Sequence, residues 1–399
     1  MPVPWLFLIL LASTDEEAIW RALEAGDAAA LRGQDTSAIL KTIRRGRTPH
    51  DGKKGEYREE ITDAFGRRTD LVVIVPNRTA PLGVMVVLHG LGGDADQLKY
   101  AWKNFAESQG LIVSAPSAQA EPEGAKNEDA PMGSWAKSLP HWWSYREGNF
   151  VFTALSLLKK RYAIDENRVF LSGYSMGGFG TWNLGLRYPD RFAAIVPFAG
   201  GVSRREYLQK SDDLLRPLVG NASALPIYFV HGDKDMTVPV GFARRTRDQL
   251  KEFGSDFEYR EVPKGGHILN VREGSEIMKA IQSWLKPKRR NSHPARLRHY
   301  FVGDYCPQAY WLRVAGTPAT VEAKIQGQTI DLSVKGATDI TIYVDETLLD
   351  LSKTLKVTTG GKTVFHGKVE PSVETIVETW RAREDRELVY RAKIVIPAN

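Results

Sequence analysis

The stretch that most restricts how this chain can fold is Arg168–Trp182, R-V-F-L-S-G-Y-S-M-G-G-F-G-T-W. It opens with apolar and β-branched residues, the composition of a short buried strand, and ends in residues able to carry a helix. Between the two sits Gly173-Tyr174-Ser175-Met176-Gly177-Gly178, a G-x-S-x-G pattern. Where a strand turns abruptly into a helix, the positions two residues either side of the turn serine come close together, and a Cβ there would clash. Glycine at 173 and 177 meets that demand, and the turn lifts Ser175 out of the sheet. Alone the pattern is weak, because loops collect Gly and Ser. With a strand before it and a helix after it, it marks Ser175 as a candidate nucleophile.

The flanking pattern predicts the sheet. Glu56–Ala64 and Thr69–Pro76 read as two strands joined at Gly66, an antiparallel start, and Val84–His89 as a central strand covered on both faces. Strands and helices then alternate. Helix Ala95–Gln109 precedes strand Leu111–Ala115, and helix Phe150–Tyr162 precedes strand Val169–Ser172 and helix Met176–Arg187. Strands Phe192–Phe198 and Pro226–Val230 follow, then helix Val240–Phe253, strand Phe257–Val262 and helix Glu273–Leu285. Such alternation predicts an α/β class: a three-layer, mostly parallel sheet over residues 51–287, with chemistry at the carboxyl ends of its strands.

Around this core, residues 1–13 form a signal-like segment and 14–50 a helical lead-in without chemistry. A linker is expected over 288–305, where the basic runs Lys286–Arg290 and Arg296–His299 fall. Residues 306–399 then read as a small β-sandwich-like accessory domain. Its short strands are Val321–Ile325, Ile330–Val334, Ile340–Val344, Leu355–Thr358, Thr363–Lys368 and Val389–Ile396, with one helix at Ser372–Glu384.

Composition excludes more than it identifies. With 42% hydrophobic and 26% charged residues among 399, the chain is that of an ordinary globular protein. A net charge of +6 is spread widely, and without a basic face or a recognised fold it argues against a nucleic-acid partner. One cysteine allows no intrachain disulfide. The N-terminal apolar run is too short to span a membrane and resembles the core of a signal peptide, so export to a periplasmic or extracellular space is expected, with a cytoplasmic protein as the alternative.

A serine hydroxyl is a poor nucleophile near neutral pH and needs a histidine base oriented by a carboxylate. In the order Ser, acid, His, the chain offers His231-Gly232-Asp233-Lys234-Asp235 after a strand and Pro263-Lys264-Gly265-Gly266-His267 one strand later. Asp235 is preferred over Asp233 on loop register, and His267 stands between the last strand and last helix. A developing oxyanion needs preorganised N–H donors, worth about 2.7–4 kcal/mol each. Those expected are the amides of Met176 and of Leu91, the latter in the glycine-rich loop His89-Gly90-Leu91-Gly92-Gly93. His89 itself reads as a brace of that loop, and no Cys/His spacing suggests a metal.

H-G-L-G-G, G-Y-S-M-G-G-F-G-T-W-N-L-G-L-R-Y-P-D-R-F, H-G-D-K-D-M-T-V-P and G-G-H together resemble an α/β-hydrolase. The resemblance, over about residues 56–286, is to the phospholipase/carboxylesterase-like branch with its feruloyl-esterase-like and polyhydroxybutyrate-depolymerase-like enzymes. It implies a serine carboxylic-ester hydrolase using Ser175, Asp235 and His267, with no cofactor, acting on a small-molecule or polysaccharide-linked ester. Trp135, Trp142, Trp143 and Tyr145 lie on the long segment Ser117–Asn149. With Tyr174 beside the serine, they are candidates to wall a substrate pocket; packing the loop onto the body is the alternative for the loop aromatics. The rival readings are a prolyl-oligopeptidase-like serine peptidase and a glycan-binding module carrying an accessory hydrolase.

Overall fold

The computed structural model describes residues 16–47, 52–63, 66–78, 81–119, 142, 150–203, 210 and 215–398. The signal-like segment 1–13 and Trp135, Trp143 and Tyr145 lie outside them. Among the described residues no helix is long and apolar enough to cross a membrane.

An eight-stranded sheet occupies the first half, its strands β1 (Gly55–Thr62), β2 (Arg68–Val75), β3 (Leu82–Leu88), β4 (Leu111–Pro116), β5 (Ile164–Tyr174), β6 (Ala194–Phe198), β7 (Ile227–Gly232) and β8 (Phe257–Val262). They lie in the order β1-β2-β4-β3-β5-β6-β7-β8. The β1/β2 and β2/β4 pairs are antiparallel and the rest parallel, as the alternating pattern predicts. β3 is buried along its whole length because L-G-V-M-V-V-L must face helices on both sides. Two apolar layers, one on each face, hold Trp182 and Phe179 on one side and Trp102 and Met278 on the other. The helix expected over Ala95–Gln109 is α-helical only from Lys103. Residues before it form turns and one 3-10 turn, because Gln97 is used to brace the loop ahead of it.

The rest is two sheets, one of four strands and one of five, packed about a second core. The five-stranded sheet begins at β9 (Arg296–Phe301), inside the segment expected to be a linker. Its R-L-R-H-Y-F alternates exposed and buried residues, so the basic side chains point outward while Leu297, His299 and Phe301 enter the core. The lead-in is not a detached prefix either. Its helices, residues 16–25 and Thr36–Arg45, bury Trp20, Leu23, Ile39 and Ile43 against Ile376 and Val377 of the helix Val373–Arg383, and Arg44 reaches Asp345 at 2.6 Å.

Buried charges join the two halves. Arg290, 5% exposed, donates two bonds to Asp385 at 2.7 and 2.9 Å and one to the Asp190 carbonyl at 2.6 Å. The Asp190 carboxylate in turn accepts from Arg383 Nε at 2.9 Å and the Tyr310 amide at 3.0 Å. Burial alone would raise Asp385, but Arg290 and Lys159 outweigh it and hold the carboxyl below its usual range. Such pairs contribute little net stability when intact and cost several kcal/mol when one partner is lost.

His299 gives this core a pH dependence. It is fully buried, its ring edge-on to Phe301, and neither ring nitrogen has a partner among the described residues. Burial pushes it down to about 3, with Arg383 and Arg298 adding to the effect and Asp190 opposing it. Below pH 6.5 the unfolded chain takes up a proton that the folded one refuses, so stability falls as pH drops toward 3. His299 alone contributes about 2 kcal/mol of loss between pH 7 and 5. Urea unfolding at both pH values is expected to show that loss reduced by this amount in His299→Leu; an identical pH dependence in the variant contradicts the assignment.

Candidate active site

Ser175 stands at the junction of β5 and the helix Met176–Arg187 with φ 56° and ψ −113°, a left-handed conformation that an L-residue adopts only under constraint. The neighbours supply the constraint. The Ser175 amide donates to the Phe198 carbonyl at 2.9 Å. A Cβ on Gly173 would lie 2.3 Å from the Gly177 carbonyl oxygen, and one on Gly177 2.1 Å from the Leu88 oxygen. The two glycines anticipated from sequence are steric necessities. Gly178 is a third, for its Cβ would meet the Phe198 oxygen at 2.3 Å.

Two loops bring a histidine and an acid to the serine. His267 Nε2 lies 2.9 Å from Ser175 Oγ, and Nδ1 lies 2.8 Å from Asp235 Oδ2. Asp235 is 5% exposed, and its other oxygen accepts from the amides of Thr237 and Val238 at 2.9 and 2.8 Å. Asp233 is not in this chain of bonds; its amide donates to Val262 as part of the turn. The glycine at 232 lets the two loops approach, since a Cβ there would meet the Gly265 and Gly266 oxygens at 2.3 and 2.4 Å. His231, to which sequence reasoning gave no role, is buried behind the acid. Its Nε2 donates to the Val238 carbonyl at 2.7 Å and lies 3.4 Å from Asp235 Oδ2, and burial lowers its pKa, favouring the neutral ring.

The loop Gly90–Gly93 faces the serine from β3. Its Gly90 amide is taken by Gln97 Oε1 at 2.6 Å, which leaves the Leu91 amide as the next donor along the loop. The Met176 amide is one of those every helix start leaves without an intrahelical acceptor. His89 braces this loop as expected. Nδ1 donates to the Gly90 carbonyl at 2.7 Å and Nε2 accepts from the Ala118 amide at 2.9 Å, a neutral tautomer consistent with its burial-lowered pKa.

A cavity of about 490 Å³ opens over Ser175, with Leu91, Tyr174, Phe179, Val238, Phe242 and His267 on its walls. Trp142 is not among them. It is 2% exposed, stacks edge-on against His89 and donates its indole N–H to the His89 carbonyl at 2.9 Å, so it secures the loop from beneath. Tyr174 does line the cavity, but its hydroxyl donates to the His267 carbonyl and accepts from the Leu269 amide at 2.7 Å, tying down the histidine loop.

Residues 69–286, more than half of the chain, match the model of the phospholipase/carboxylesterase family. The chain belongs to that family. The family is one of α/β-hydrolases, and the eight-stranded sheet is its fold. The protein is 28% identical over 196 residues to the bifunctional acetylxylan esterase/xylanase XynS20E of Neocallimastix patriciarum, a match covering 46% of this chain and a quarter (25%) of that protein. Carboxylesterase SOBER1 of Arabidopsis thaliana is 26% identical over 220 residues, covering 51% of this chain and 90% of that one. Among solved structures, a thermostable esterase aligns with 25% identity and a TM-score of 0.43 over 59% of this chain and 63% of its own.

In this phospholipase/carboxylesterase domain the histidine loop depends on one phenol. Tyr174→Phe removes both of its bonds, for an expected loss of about 1–2 kcal/mol. Amide hydrogen exchange at Leu269 is expected to quicken while β3 and β5 stay protected; unchanged exchange at Leu269 contradicts the tether.

Proposed function

We propose that the protein is a serine carboxylic-ester hydrolase that works through an acyl-enzyme. The unbroken line of hydrogen-bond contacts from Asp235 through His267 to Ser175 Oγ carries this reading. His267 Nε2 takes the hydroxyl proton as Ser175 Oγ attacks the ester carbonyl carbon. The imidazolium that results is held by Asp235, whose second oxygen is already pinned by two amides and cannot rotate away. Charge developing on the carbonyl oxygen is received by the amides of Met176 and Leu91, which need no reorganisation at the moment of reaction. Collapse of the tetrahedral species breaks the bond to the alkoxy oxygen, and His267 returns the proton to the departing alcohol. Water, deprotonated by the same nitrogen, then attacks the acyl carbon and frees Ser175.

The apolar wall of Phe179, Val238 and Phe242 suits the acyl part of the ester, while the alcohol projects toward the cavity mouth. Names of relatives, acetylxylan esterase among them, fit an alcohol that is a small molecule or a polysaccharide.

Ser175→Ala is expected to lower kcat for p-nitrophenyl acetate by about 10³-fold or more while the fold, read by circular dichroism, is kept. Wild-type turnover in this variant sinks the proposal. Gln97→Met frees the Gly90 amide and loosens the loop that presents the Leu91 donor, so kcat is expected to drop about 10-fold with KM little changed. A change in KM alone would mean that Gln97 serves ground-state binding instead.

A further inference from the structure

A second groove is larger than the cavity over Ser175. It has a volume of about 710 Å³ and runs between the helix Phe150–Arg161 of the hydrolase domain and the C-terminal part of the chain. Five cations line it: Lys160, Arg191, Arg313, Arg381 and Arg383. Two carboxylates face them, one paired with an arginine and the other bonded only by a neutral hydroxyl. Asp63 is bonded by Arg67 at 2.6 Å, and Glu384 accepts from Ser156 Oγ. Arg383 is neutralised by Asp190 at 2.9 Å and Arg313 by Glu378 at 2.9 Å. The other three have no carboxylate partner among the described residues. Lys160 and Arg381 are exposed, and Arg191 donates only to the backbone carbonyls of Arg383 and Ala382.

Two buried donors there are also unmatched. Arg191 Nε has no acceptor, although the guanidinium lies over Phe152 at 5.3 Å, and Gln308, 3% exposed, leaves its Nε2 without one. Buried polar atoms are nearly always paired, and here both orphans on the groove's lining are donors, as a ligand rich in acceptors requires. Burial and the neighbouring Arg383 and Arg290 hold Arg191 down to about 10, against the opposing pull of Asp190 and Asp385. The volume falls in the range of small-molecule sites. Guanidinium groups in a partly enclosed groove favour carboxylate and phosphate oxygens over neutral ligands.

We propose that this groove binds a small polyanion, a ligand bearing two or more carboxylate or phosphate groups, at a site separate from Ser175. Because its walls come from both halves of the chain, the bound anion holds them together and stabilises the fold. The assignment stands independently of the esterase reading.

Citrate and tripolyphosphate, as carboxylate and phosphate probes, distinguish the two sources in calorimetric titrations of the full chain at low ionic strength. Saturable binding of at least one probe, weakened by salt, is expected, with the thermal midpoint raised by about 2 °C or more at saturation. Citrate alone would identify a carboxylate ligand and tripolyphosphate alone a phosphate one. The double variant Lys160→Gln/Arg381→Gln changes two exposed side chains and is expected to bind about 10-fold more weakly while ester turnover stays within about 2-fold of wild type. Absence of saturable binding by both probes, or equal affinity in the variant, overturns the proposal.

Discussion

Everything at the candidate active site depends on how closely the first turn of the helix Met176–Arg187 can press against the sheet. The gap between Gly177 and the Leu88 carbonyl admits no Cβ, and the same holds between Gly173 and Gly177. Only at that separation does Ser175 reach φ 56° and project its hydroxyl beyond the strand ends, within 2.9 Å of His267. The strain is local and is held by packing on every side. β3 lies on one flank, the Phe198 carbonyl on another, and the buried face of Met176–Arg187 beneath. A rigid strand end and an immobile helix start therefore fix Ser175, while Asp235 and His267 arrive on loops.

Those loops are made rigid by bonds that take no part in the chemistry. Tyr174 ties the His267 segment, His231 and two amides hold Asp235, and His89, Gln97 and Trp142 hold the glycine loop. The side chains among them, all but the exposed Gln97 at least partly buried, each give a hydrogen-bonding group to backbone or to another loop residue. A site on loops gains the precision of one on secondary structure in this way. The C-terminal half is fastened by comparable means, through Arg290, Asp385, Asp190 and Arg383, so the two halves meet over a buried ionic seam rather than a solvated linker.

Much of this was legible in the sequence because its causes are local. The G-x-S-x-G spacing, the order of acid and histidine loops and the apolar strands each follow from steric or hydrophobic rules acting over a few residues. What was not legible depends on partners distant in the chain. For Trp142 the sequence leaves pocket wall and buried brace equally open, because an indole serves as either, and only the position of the His89 carbonyl decides. β9 was hidden by its arginines, although R-L-R-H-Y-F has the two-residue period of a strand. The lead-in helices pack on residues more than 300 positions away, beside a salt bridge between Arg44 and Asp345, and no local pattern announces that.

The central claim is that Ser175 is the one hydroxyl activated for covalent catalysis, and intact-protein mass measurement after treatment with an aryl phosphonate tests it most directly. The account predicts a single adduct that maps by peptide sequencing to Ser175 and is absent from His267→Ala. Labelling at another residue, or labelling of Ser175 that persists undiminished without His267, would contradict it.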